Sequence, residues 1–290
     1  MVNVVASTCI IGLGRMGSGM CNNLTRRGYR VYGFDINKAA YSRCQSPLFT
    51  PADSPASCAS SADVVILSLP TGVEVSDTLS KLPVGLRPLI IDTTTLGMDE
   101  LAQILGIVKE RNLRYLTCRL ERGPKEANEG KLALFCGGYK GDYDSVIGLL
   151  NDLGEPIFVG DHAQATMLKL ISNMIGTTIV VLNAEIASVI RAAGIDPEVA
   201  VRALSMGGAN NAQLFRLLWQ VKKSHEESFS LELAQHVVQM GIESSKRYFK
   251  IRSLPLTELA NIIMVAAKSM GFGAKDVSEV SKLLDVINGQ

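Results

Sequence analysis

The chain has 290 residues, 47% of them hydrophobic and 20% charged, a balance that supports a globular protein with a substantial core and excludes extensive disorder. Its formal net charge of +1 supplies no global field for nucleic acid or for an anionic membrane surface. The six cysteines, at 9, 21, 44, 58, 118 and 136, form neither a C-x-x-C pair nor a metal-ligand spacing with histidine. They read as small reduced residues of a cytoplasmic protein that holds no metal.

The chain opens on Met1-Val2-Asn3 without the basic segment of a signal peptide. Short apolar runs then alternate with helical patterns, which predicts βαβ units and a parallel sheet. The predicted strands are Val4–Ile11, Arg30–Phe34, Val64–Leu69, Leu89–Ile91, Arg114–Thr117, Leu132–Cys136 and Ile157–Val159, with a Pro/Ser/Ala-rich loop around Ser46–Ser61. After Gly160 the apolar residues recur at helical spacing only, as far as Leu284. The expected architecture is an α/β domain over 1–160, doubly wound and mostly parallel, then an all-α domain over 161–290 that begins with a long helix. That helix is apolar nearly all round. Its longest uncharged run, Leu170 to Ala184, spans 15 residues and is bracketed by Lys169 and Glu185, too short for a membrane span. Gly194-Ile195-Asp196-Pro197 stops it and caps the next helix.

The first strand runs into Gly12-Leu13-Gly14-Arg15-Met16-Gly17, a G-x-G-x-x-G that opens a helix. Gly12 permits the tight turn, Gly14 lets the backbone approach a pyrophosphate, and Gly17 lets the helix pack on the strand. The free N–H groups of the helix N-terminus then face the phosphates. Asp35 stands 18 positions after Gly17, at the end of the next strand, where a carboxylate accepts from the adenosine ribose hydroxyls. Together these residues predict a Rossmann domain that binds NAD. Asp35 repels a 2′-phosphate, while the neighbouring Lys38 keeps NADP as the alternative. Leu69 and Pro70, at the end of the third long strand, are placed beside the cofactor.

These residues resemble the β-hydroxyacid dehydrogenase family over nearly the whole chain, roughly 10 to 285. The stretch from Gly12 through Met20 to Asn23-Leu24 is similar to the family's opening motif, and Asp92-Thr93-Thr94-Thr95 to its D-x-S-T segment. Lys169-Leu-Ile-Ser-Asn173 matches its K-x-x-x-N, and Gly271 to Ser278 its terminal G-x-G-x-x-D-x-S. The resemblance implies that Lys169 is the general acid/base, that Asn173 and Thr95 hold the substrate, and that Thr95 also borders the cofactor. It further implies a small anionic hydroxyacid or semialdehyde substrate and a homodimer or homotetramer. The spacing of four independently puts Lys169 and Asn173 on one helix face.

Two stretches depart from the family pattern. Its D-A-P-V-S-G-G loop reads here Thr117-Cys-Arg-Leu-Glu121-Arg122-Gly123. Arg122 offers a forked cation for a carboxylate, sulfonate or phosphate and, with Gly123, is placed at the substrate. Glu121 opposes an anion unless it pairs with Arg122 or turns to solvent. His236 stands where the family has a lysine near the cofactor, and it retains a hydrogen-bond donor there. Besides NAD-dependent hydride transfer, two other readings fit these departures. One is a non-catalytic dinucleotide-binding module; the other is a reductase of an imine or of a carbonyl without an acid group.

Overall fold

The computed structural model describes residues 6–226 and 228–289. Val4 and Val5, placed at the start of the first predicted strand, and the Met1-Val2-Asn3 opening lie outside the described residues. The chain divides into two compact units, Met1–Lys169 and Leu170–Gln290.

In chain order the first unit contains β1 (Ser7–Ile11), α1 (Arg15–Arg26), β2 (Arg30–Phe34), β3 (Phe49–Pro51), α2 (Pro55–Ser60), β4 (Val64–Leu67), α3 (Gly72–Lys81), β5 (Leu89–Asp92) and α4 (Met98–Glu110). It continues with β6 (Tyr115–Glu121), α5 (Pro124–Glu129), β7 (Leu132–Gly138), α6 (Lys140–Ser145), α7 (Ile147–Leu153) and β8 (Gly154–Gly160). The eight strands form one sheet in the order β3-β2-β1-β4-β5-β6-β7-β8. All pairs are parallel except β6–β7.

Successive strand residues point to opposite faces, so the continuous apolar runs of β1, β4 and β5 feed two cores. Ile10, Ile66 and Ile91 pack with Met20 and Leu24 of α1 on one side. Cys9, Ile11, Val65, Leu67 and Ile90 pack with Val75, Leu79 and Ile104 on the other.

Three local features differ from expectation. A short strand, β3, and α2 occupy the predicted loop around Ser46–Ser61, because the edge of β2 offers Phe49–Pro51 a ladder to join. β6 runs four residues beyond its predicted end at Thr117, since Thr117–Glu121 pair antiparallel with Ala133–Gly137. The charges of Arg119 and Glu121 concealed that strand from a hydrophobic-pattern reading. Thirdly, Cys9 of β1 and Cys58 of α2, expected reduced, form a disulfide with Cα atoms 5.5 Å apart. They are 49 residues apart in sequence, and only the packing of α2 on β1 brings them together. The cysteines therefore carry no argument for a reducing compartment.

α8 (His162–Ala192) starts in the first unit and continues into the second, which adds α9 (Pro197–Leu204), α10 (Leu214–Lys222), α11 (Leu231–Phe249), α12 (Pro255–Ala267) and α13 (Val280–Asn288). By length and composition α8 could cross a membrane. Its residues Leu170, Met174, Thr177, Val181, Ala184 and Ser188 nevertheless form a buried stripe at helical spacing. Ile175, Leu182, Ile186 and Val189 of the same helix remain exposed. The Gly271–Ser278 segment is structural: Asp276 accepts from Arg216 Nη1 at 3.1 Å, from Ser228 N at 2.9 Å and from Ser278 N at 2.9 Å.

Candidate active site

Gly12 follows β1 at φ +93°, and a Cβ there would lie 2.2 Å from the Ser68 carbonyl oxygen. A Cβ on Gly17 would lie 1.9 Å from the Gly12 oxygen, so α1 can start this close to the strand only with glycine at both positions. Gly14, in contrast, faces open space. It is the N-cap of α1 and makes no side-chain cap bond, and the first turn holds no acidic residue. A helix N-terminus beside an open backbone surface suits a pyrophosphate.

Arg15 is exposed and Met16 half-buried in that first turn, whereas the Leu13 side chain is fully buried in the core. Only the backbone of Leu13 serves the loop, its N–H donating to Asp35 Oδ2 at 2.7 Å. Asp35 Oδ1 accepts from Asn37 N at 2.8 Å. Arg43, which no sequence motif marked, reaches the Leu13 carbonyl with Nη1 at 3.3 Å. These residues fit a dinucleotide: a glycine cradle, a helix N-terminus without an acidic residue in its first turn, and a carboxylate just after β2.

Beyond β4, Leu69 is half-buried and Pro70 exposed, and the Leu69 N–H donates to Thr94 Oγ1 at 3.3 Å. Thr94 is thereby committed, while Thr95 is half-buried. The turn between them is tied down by a network that sequence reasoning missed. Asp92 and Arg119 are both fully buried, with Arg119 Nη1 2.7 Å from Asp92 Oδ2. Arg119 also donates to the Thr94 carbonyl and, through Nε, to Thr166 Oγ1 at 3.2 Å. Asp92 completes its bonds with the Thr94 N–H at 3.0 Å and the Tyr115 hydroxyl at 2.7 Å. Burial and the adjacent Asp92 carboxylate push the Tyr115 phenol well up, which keeps it a neutral donor. The only sequence signal was the departure at Arg119 from the family's proline.

At the start of α8, His162 Nδ1 lies 3.0 Å from Thr117 Oγ1. Burial first, and then the Arg119 charge, hold the imidazole below its ordinary 6.5. The unfolded chain therefore takes up this proton before the folded one as pH falls. The stability that neutral His162 contributes is complete above about 6.5 and is lost as pH drops toward its folded value. Thermal melts from pH 7.5 to about 5.5 should show a falling Tm, as this group removes at most about 1.4 kcal/mol of stability per pH unit. His162→Gln should flatten that dependence, and identical slopes in the two proteins would rule the histidine out.

Lys169 sits two turns further along α8, its side chain 11% exposed, with Nζ 3.1 Å from Glu121 Oε1. Glu121 thus neither pairs with Arg122 nor turns to solvent. Arg122 holds φ +73° and points its guanidinium to Glu155 at 2.9 Å and to the Lys131 carbonyl. The Gly123 N–H donates to Glu126 Oε2 at 2.9 Å, closing the cap of α5. Both groups expected to grip an anion are engaged by glutamates of this unit. In the second unit, Asn173 is half-buried on α8, and His236 is exposed on α11.

Two families match the chain. One, described as the NAD binding domain of 6-phosphogluconate dehydrogenase, covers residues 7–167, and the other, described as NAD-binding of NADP-dependent 3-hydroxyisobutyrate dehydrogenase, covers residues 163–284. A 3-sulfolactaldehyde reductase of Escherichia coli is 26% identical, over 98% of each chain. A 3-hydroxyisobutyrate dehydrogenase of Pseudomonas aeruginosa is 28% identical over 69% of this chain and 70% of its own. The fold is shared with the Mycobacterium tuberculosis 3-hydroxyisobutyrate dehydrogenase solved with L-serine, at a TM-score of 0.84 and 20% identity over 97% of this chain and 99% of that one. An imine reductase from Pseudomonas sp. has a TM-score of 0.63 at 18% identity, over 96% and 99% of the two chains.

Proposed function

We propose that this chain, which belongs to the β-hydroxyacid dehydrogenase family, is an NAD-dependent oxidoreductase of a small β-hydroxyacid or its semialdehyde. The observation that carries this reading is Lys169, an ammonium only 11% exposed, in the same unit as an intact dinucleotide cradle. When bound, the nicotinamide supplies hydride to the carbonyl carbon or takes it from the carbinol carbon. Gly12, Gly14, Arg15, Met16 and Gly17 would hold the pyrophosphate at the start of α1, with Asp35 accepting from the ribose. Leu69, Pro70 and Thr95 would border the rest of the cofactor, and the family resemblance would add His236. Lys169 Nζ gives its proton to the carbonyl oxygen in reduction and takes it back in oxidation, while Thr95 and Asn173 orient that oxygen. The exposed residues Ile175, Leu182, Ile186 and Val189 support a homo-oligomer.

The second reading, a reductase of an imine or of a carbonyl without an acid group, draws its support from the engaged Arg122 and Gly123. The Arg122–Glu155 pair is exposed and worth about 1 kcal/mol or less, so its formation alone does not establish that second reading. A panel of semialdehydes bearing carboxylate, sulfonate or phosphonate, alongside neutral aldehydes and cyclic imines, decides between the two. NADH consumption is expected with a carboxylate semialdehyde, and at least about tenfold faster than NADPH consumption at equal concentration. Turnover confined to imines would establish the second reading, and NADH binding without any turnover would leave a non-catalytic module.

A further inference from the structure

Glu121 is a charge in contact with Lys169 that the reaction above does not use. It ends β6, its side chain is 23% exposed, and Oε1 lies 3.1 Å from Lys169 Nζ. That oxygen is buried and makes no hydrogen bond among the described residues, so the contact is one of charge rather than of aligned donor and acceptor. The cations and donors beside it are already committed: Arg122 to Glu155 and the Lys131 carbonyl, and the Gly123 N–H to Glu126.

We infer that Glu121 determines the charge of the substrate group that meets the 121–123 turn: neutral or cationic, and not a second acid. The inference rests on the reading of Lys169 as proton donor. A carbonyl oxygen bonded to Lys169 Nζ brings its neighbouring substituent to within a few ångströms of the Glu121 carboxylate. A carboxylate, sulfonate or phosphate there meets a like charge in a place where water screens little. An ammonium or hydroxyl in the same position finds an acceptor with no competing side-chain donor other than Lys169. The substrate this selects is a β-hydroxyacid with one acid group, carried away from the turn, and a neutral or amino substituent beside the reacting carbon. Arginine at 122 had pointed to a strongly anionic substrate; the pairing of its neighbour points the other way.

Calorimetric titration of the NADH-loaded protein, in which a hydroxyacid cannot be oxidised, with three ligands tests this. The ligands are 3-hydroxypropionates that differ only at carbon 2, bearing hydrogen, ammonium or a second carboxylate. The dicarboxylate should bind roughly 30-fold more weakly than the parent, and the ammonium compound at least as tightly. Glu121→Gln, which keeps shape and removes charge, should reduce the dicarboxylate gap to about threefold or less while leaving NADH binding unchanged. Equal binding of parent and dicarboxylate by the wild type would overturn the inference, as would a gap that persists in the variant. If the variant fails to fold, the wild-type order alone decides. No binding of any of the three also overturns it, whereas the proton-donor reading stands or falls separately on NADH turnover.

Discussion

Lys169→Ala should lower kcat by about 10²- to 10⁴-fold, the usual contribution of a positioned general acid, and leave the NADH dissociation constant within about twofold. The two quantities separate because the glycine cradle and Asp35 stand on β1, α1 and β2, while Lys169 stands on α8 and contacts Glu121. Lys169→Arg sharpens the test. A guanidinium keeps the positive charge opposite Glu121 but does not release a proton at neutral pH. The arginine variant should therefore be nearly as inactive as the alanine variant, despite keeping the ion pair. If arginine retained most of the activity, the lysine would be acting as a fixed charge and not as a proton donor. Stopped-flow measurement of hydride transfer at saturating NADH would check both variants.

The second large effect is expected on stability. Arg119→Met removes one member of an ion pair in which both side chains are fully buried, and breaking such a pair by deleting one partner costs about 3–5 kcal/mol. For a unit of this size, the melting temperature should fall by on the order of 10 °C. The loss exceeds that of an ordinary core substitution because the buried Asp92 carboxyl loses its ion-pair partner and the Thr94 carbonyl loses its donor. Adding Asp92→Leu to Arg119→Met should recover part of the loss, since the stranded carboxyl is then gone. Recovery should stay incomplete, because the Tyr115 hydroxyl and the Thr94 N–H lose Asp92 as well. Thermal denaturation of the two single variants and the double variant measures this coupling, and strictly additive losses would show that the pair is not energetically joined.

The local motifs were legible because their physics is local. Gly12 to Gly17 specify a turn and a helix start within six residues, and the structure shows the close contacts that only glycine allows at Gly12 and Gly17. Likewise, Lys169 and Asn173 share a helix face by period alone. The alternation of apolar runs and helical patterns was enough for a parallel sheet followed by helices. The edge strand β3 was not, since a three-residue strand exists only where β2 leaves an edge to pair with.

What the sequence determined by itself was therefore the cofactor cradle, the helix carrying the lysine, and the order of the two domains. The tertiary structure decided which charges meet. Glu121 and Arg122 are neighbours in the chain, and the sequence leaves Glu121 to pair with Arg122 or to turn to solvent, but successive residues leaving a strand point to opposite sides, and Arg122 adopts a left-handed backbone at φ +73°. Glu121 consequently meets Lys169 and Arg122 meets Glu155, 48 and 33 residues away. Arg119 finds Asp92 across two paired strands in the same manner. Strand register and the single antiparallel pair, β6–β7, fix these meetings, and neither can be read from the spacing of residues along the chain.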